Sequence, residues 1–143
     1  MVTMFLWKCS NKFSSYLGIT TRICIKPASV DKWVSSHIRN TGGHSIRSVN
    51  SILKMVQRFP EATFLGLTFA PFYILYTEAR SAQYGPIFLD VGSNIGMFSL
   101  SVAAMNRSVV AVDADPVNLA YIRESLSLGG FSQNVRTVNN AVG

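Results

Sequence analysis

Three short apolar runs, IFLDV at 87–91, SVVAVD at 108–113 and a run opening VRTV at 135, alternate with two helical patterns. No other feature constrains the chain as much. Runs this short and apolar on both faces suit strands buried in a parallel sheet, and parallel neighbours need a crossover helix between them. Residues 97–105 read as the first helix, entered directly from Gly96. The second has a defined start: Asp115 can cap free backbone N–H groups, and Pro116 suits the first helical position. Val117, Ala120, Tyr121, Leu126 and Leu128 carry it on, and Gly129-Gly130 ends it. The expected fold is α/β, a parallel, doubly wound sheet in βαβαβ order.

Upstream, TTRICI at 20–25 alternates polar and apolar residues and predicts a short strand. Thr41-Gly42-Gly43 is a turn signal. Over 45–59, Ile46, Val49, Ile52, Leu53, Val56 and Phe59 fall on one face of an amphipathic helix, with Met55 on its flank, and Pro60 stops it. Residues 62–76, ATFLGLTFAPFYILY, are uncharged but shorter than the roughly 20 residues that span a bilayer. Gly66 and Pro71 interrupt them, so a buried or irregular segment is expected and a membrane association is not. The chain thus divides into a basic lead-in at 1–61, an apolar insertion or atypical connection at 62–86, and a ligand-binding unit at 87–143.

With 48% hydrophobic and 14% charged residues, the composition is that of a globular chain, which excludes disorder for most of it. Charge is uneven. Residues 1–60 hold nine Lys/Arg against Asp31 alone, whereas residues 61–143 hold four against six acids. The basic residues stand singly, with no interleaved aromatic platform, so a solvated basic surface is expected and no nucleic-acid partner. The N-terminus places its apolar patch before its first lysine, the reverse of a secretory signal, and a cytoplasmic location is the expectation. Cys9 and Cys24 have neither metal-type spacing nor a dense disulfide framework. No metal site is expected. His37 and His44 read as surface or helix-end residues, and Trp7 and Trp33 as packing groups.

The turn between the first strand and its helix is Asp90-Val91-Gly92-Ser93-Asn94-Ile95-Gly96. In a parallel α/β sheet, ligands bind beyond the carboxyl ends of the strands, where such a turn lies. Glycine there tolerates positive φ and lets a ligand approach the backbone. A dinucleotide site wants G-x-G-x-x-G, but the residue two after Gly92 is Asn94 and the residue five after it is Met97. An acid just before the loop is also an awkward neighbour for a pyrophosphate. Asp90 suits a ligand carrying positive charge.

Asp90-Val-Gly92-Ser-Asn94-Ile-Gly96 resembles motif I of the S-adenosylmethionine-dependent methyltransferases, acid-x-Gly-x-x-x-Gly. Followed by VVAVDADPVNLAYIRESL and then VRTVNNAVG, it resembles the FkbM family in particular. The resemblance implies a Rossmann-like methyltransferase fold, S-adenosyl-L-methionine as cofactor, and methyl transfer to a hydroxyl of a small molecule or glycan. It places Asp90 near the positive groups of the cofactor and the backbone of Gly92, Ser93, Asn94 and Gly96 along its methionine part. Asp113, ending the second strand, would accept hydrogen bonds from both ribose hydroxyls, and Asn140 would lie near the adenine. Where the family has Glu-Pro, this chain has Asp113-Ala114, a carboxylate one methylene shorter. Asp115 is assigned to helix capping instead.

In methyltransferases of the fold that the resemblance implies, the acceptor side is built by the fourth strand, its loop and the later elements, so the Rossmann-like sheet is expected to be incomplete here, at about its first three strands. The expectation is therefore a truncated form carrying the cofactor half, inactive alone, with no catalytic base to name. A non-catalytic Rossmann-like binding or regulatory module is the alternative. Residues 66–89 resemble nothing in the family. Their removal joins the flanks as FPEATFL-DVGSNIG, which reads as ordinary family sequence, with Phe-Leu present at both 64–65 and 88–89.

Overall fold

A computed structural model of the protein describes residues 8–14, 18–42, 46–67, 75–77 and 86–141. Among them, strands β1 (Lys8–Ser14) and β2 (Thr20–Ile25) form an antiparallel pair. The main sheet contains β3 (Thr63–Leu67), β4 (Leu75–Thr77), β5 (Ile87–Val91), β6 (Ser108–Asp113) and β7 (Val135–Asn139), in the order β4-β3-β5-β6-β7. Strands β3, β5, β6 and β7 are parallel; β4 runs antiparallel to β3. Helices α1 (Val34–Thr41), α2 (Ile46–Arg58), α3 (Met97–Ala103) and α4 (Pro116–Gly129) complete the regular structure with a 3-10 turn at Ser132–Asn134. The architecture is α/β and compatible with a Rossmann-like fold.

The path β5-α3-β6-α4-β7 steps across the sheet in one direction. Right-handed crossovers therefore place α3 and α4 on the same face, where they touch. On that face of the sheet Phe88, Asp90, Val109, Ala111 and Asp113 are buried. Helix α2 and strand β2 lie against α3, and β2 also packs on α4. Helix α3 is thus enclosed, and all seven of its residues are buried. An enclosed helix needs no polar stripe, which is why MFSLSVA reads as nearly continuous apolar and small residues. Along the opposite face, Leu65, Leu89, Val91, Val110 and Val112 are only half-buried.

The amphipathic pattern of α2 buries Val49, Ile52, Leu53 and Val56, with Met55 partly covered at its flank. Phe59 lies beyond the helix end, exposed, with the Arg58 guanidinium 5.4 Å from its ring centroid. The scattered basic side chains of Arg22, Lys32, Arg39, Arg47, Lys54 and Arg58 are exposed. No helix among the described residues is long and apolar enough to cross a membrane.

Several placements depart from expectation. Residues 62–67 take the buried one of the two expected readings, with Ala62 and Phe64 in the core, but Thr63–Leu67 is an interior strand, a fourth parallel strand where about three were expected. Residues 68–74, with Pro71, lie outside the described residues. Cys9 and Cys24 face each other across β1 and β2 and are joined by a disulfide. Trp33 does not pack; it is 84% exposed, because it sits on the turn that enters α1. His37, by contrast, is exposed on α1, the surface position expected of it. Trp7 and His44 lie outside the described residues.

Helix α1 is held at its start by Asp31. Its carboxylate accepts from the N–H groups of Trp33, Val34 and Ser35 at 3.0, 3.0 and 2.9 Å, and from Ser35 Oγ at 2.7 Å. Burial would raise the Asp31 pKa, but these hydrogen bonds outweigh it and hold the carboxyl below its ordinary 3.8. A depressed folded-state value contributes stability above the unfolded pKa, lost as pH falls through the folded one. Asp31→Ala is expected to cost about 1–2 kcal/mol at neutral pH. Urea unfolding of both proteins should show that gap narrowing below about pH 4; a gap unchanged by acid would remove Asp31 as an ionised cap.

Candidate functional site

The C-terminal ends of β5, β6 and β7 bring three loops together, and most of the polar residues singled out from the sequence lie there. The 92–96 turn is built from inside. Gly92 takes φ 74° and Gly96 φ 89°, in the left-handed region where glycine is unstrained. Asn94, at φ 49°, is there too, and asparagine tolerates that region better than most residues. At Gly96 space is a second constraint: a Cβ would come 2.8 Å from Ile122 Cγ1 of α4. This glycine lets two helices approach, so its presence is accounted for without a ligand.

The turn folds down onto β6. The N–H groups of Gly92 and Ser93 donate to the Val112 carbonyl at 2.9 and 3.0 Å, joined by Ser93 Oγ at 3.2 Å. Asn94 N–H donates to Asp113 Oδ2 at 2.7 Å, and Gly96 N–H to the Ser93 carbonyl at 2.8 Å. A phosphate cradle needs such N–H groups free to point at the anion. Here four of them are already spent on protein acceptors. A pyrophosphate ligand is disfavoured on that geometry as well as on the failed glycine spacing.

Asp113 is the hub. Its carboxylate is buried, with 8% exposure, and receives three protein donors. Asn94 N–H reaches Oδ2; Asp115 N–H and Asn118 Nδ2 reach Oδ1 at 2.9 and 3.0 Å. A carboxylate offers about four acceptor positions, so roughly one remains, on Oδ2. Its backbone carbonyl is tied to the third strand: Asn140 N–H and Asn139 Nδ2 donate to it at 3.1 and 3.0 Å, and Asn139 Nδ2 also reaches the Ala114 carbonyl at 3.0 Å.

Asp90 lies deeper. It is fully buried and accepts from Ser99 Oγ of α3 at 2.6 Å. It sits under the turn and can act on a ligand only through its field. Asn140 is exposed and joins the site through its backbone. Asp115 caps α4, accepting from Val117 N–H at 2.9 Å, and pairs with Lys26 Nζ at 3.4 Å. No group of three or more His, Cys, Asp or Glu among the described residues could hold a metal ion.

Three contributors do not stand out in the sequence: Ser99, Asn118 and Asn139. The available signal for Asn118 is its place in Asp113-x-Asp-Pro-x-Asn118, where the first turn of a helix faces back toward the strand it succeeds. Ser99 and Asn139 carry none beyond adjacency. Asn118 Oδ1 is buried and finds no hydrogen-bond donor among the described residues. Asp113 Oδ2 and Asn118 Oδ1 are thus side-chain acceptors of this cluster with capacity left among the described residues. No family model, curated protein or solved structure matches this chain.

Proposed function

We propose that this chain carries the cofactor-binding half of an S-adenosylmethionine-dependent methyltransferase of FkbM type, transferring a methyl group to a hydroxyl of a small molecule or glycan. The observation that carries the reading is the meeting of the two sequence motifs. The 92–96 turn after β5 and the acid ending β6 are hydrogen-bonded to each other, so loop and acid form one site. Two further points support it. The acceptor pair on Asp113 and Asn118 fits the donors of a ribose diol, and the spent N–H groups argue against a dinucleotide. Asp113 would hold the ribose and the 92–96 backbone would line the methionine part, with Asn140 near the adenine and buried Asp90 adding negative potential that favours the cofactor's positive groups. When bound, the cofactor supplies an activated methyl on sulfur; the chain's residues orient it.

Calorimetric titration with S-adenosylhomocysteine and, separately, with NAD is the direct test. Saturable binding of the first and none of the second is expected. NAD binding, or no binding of S-adenosylhomocysteine by the folded chain, would end the proposal.

A further inference from the structure

We infer that Asn118 is a ligand-binding residue of this site, and that the two hydroxyls of a ribose are shared between Asp113 and Asn118 instead of both going to the carboxylate. The inference rests on the cofactor reading above and sharpens it. Asp113 Oδ1 is saturated by Asp115 N–H and Asn118 Nδ2, and Oδ2 already takes Asn94 N–H. The carboxylate can therefore accept one hydroxyl with its protein bonds intact. A vicinal diol brings two O–H donors. The second acceptor has to come from elsewhere, and Asn118 Oδ1 is the buried oxygen lacking a donor among the described residues.

Its own Nδ2 fixes where that oxygen is. The amide is anchored to Asp113 Oδ1 at 3.0 Å, so Oδ1 of the same planar group stays beside the carboxylate. Turning the amide over would set oxygen against oxygen. Buried acceptors without donors are costly and rare in folded proteins, and one next to a three-quarters-filled carboxylate points to a donor that the described residues do not supply. Asn118 sits on the first turn of α4, five residues after the strand-end acid, where its Nδ2 bond holds Oδ1 beside the carboxylate.

The experiment is a cycle between protein and ligand, using S-adenosylhomocysteine and its 2′-deoxy and 3′-deoxy analogues with the wild-type chain, Asn118→Leu and Asn118→Ala. In the wild type, each missing hydroxyl should weaken binding roughly 5- to 10-fold. In either Asn118 variant, one of the two penalties should fall to about 1-fold while the other persists. If Asn118 merely braces Asp113, both penalties shrink together or both remain, and either result overturns the inference. Failure of the wild type to bind S-adenosylhomocysteine would instead overturn the cofactor reading beneath it. Should both variants fail to fold, the wild type still decides. The Asn118 side-chain amide resonances should shift on binding S-adenosylhomocysteine and shift much less with one deoxy analogue. Equal shifts with all three ligands would refute the role.

Discussion

Replacing Asp113 by alanine is expected to destabilise the protein by about 3–5 kcal/mol with no ligand present, a large share of the 5–15 kcal/mol typical of a domain. The reason is that this carboxylate is structural as well as the proposed ribose acceptor. Three donors converge on it: Asn94 N–H from the turn after β5, Asp115 N–H from the turn after β6, and Asn118 Nδ2 from α4. Hydrogen bonds to a charged acceptor are worth roughly 1.5–3 kcal/mol each. Their sum is an upper bound, because alanine also removes the cost of burying a charge. The turn would lose its attachment to β6 except through the Val112 carbonyl. Asp113→Asn, which keeps one acceptor oxygen, should fall between wild type and alanine. Urea unfolding midpoints with matched slopes would measure all three. An alanine variant within about 1 kcal/mol of wild type would show that the carboxylate holds nothing together, and a loss of ligand affinity in it could then be read as direct contact.

That double duty explains which parts of the site are legible in the sequence. Strands β5, β6 and β7 and helix α4 are readable because their signals are local: short apolar runs, Asp115-Pro116 at one end, Gly130 in the left-handed region at the other. The glycine turn and Asp113 are readable for the same reason. Asn118 and Asn139 are not, because each matters only through a neighbour that tertiary structure supplies. Ser99 reaches Asp90 across the strand-to-helix turn, a contact that no period reveals. Helix α1 escapes a periodicity reading because it is short and depends on the Asp31 cap more than on an apolar stripe. The disulfide escapes it too, because pairing Cys9 with Cys24 requires the β1–β2 register, which spacing alone does not set. Gly96 reads from sequence as an opening for a ligand, yet the nearest obstacle to a side chain there is Ile122.

Removing residues 66–89 should leave the turn after β5 and its ligand affinity intact, whereas a deletion shifted by one residue should unfold the protein. The two Phe-Leu copies lie side by side in the sheet. Strand β3 pairs with β5 in parallel, with Phe64 opposite Phe88 and Leu65 opposite Leu89. Phe64 and Phe88 are both buried, at 2% and 3% exposure. Parallel neighbours in register point their side chains the same way. The joined strand, Ala62-Thr63-Phe64-Leu65-Asp90-Val91-Gly92, therefore puts Phe64 where Phe88 was and keeps Asp90 in phase with α3. The cost is β3 and β4 as separate strands, and a lateral move of the α2 connection by one strand spacing, about 4.8 Å. In the doubly wound order, the strand on that side of the first is the fourth. Here β3 holds that place, so the deletion also frees it. Deleting residues 65–89 instead would put Thr63 in the buried position and Phe64 on the opposite face, since a one-residue slip inverts the whole strand. Losing the buried phenylalanine alone is worth about 3–5 kcal/mol. Thermal unfolding and S-adenosylhomocysteine titration of the three proteins, otherwise identical, test this. Retained folding and affinity within about 3-fold for the in-phase form, with loss of both in the shifted form, is the expected pattern. If the in-phase deletion unfolds as the shifted one does, β3 and β4 are integral to the sheet and the two Phe-Leu copies are not interchangeable.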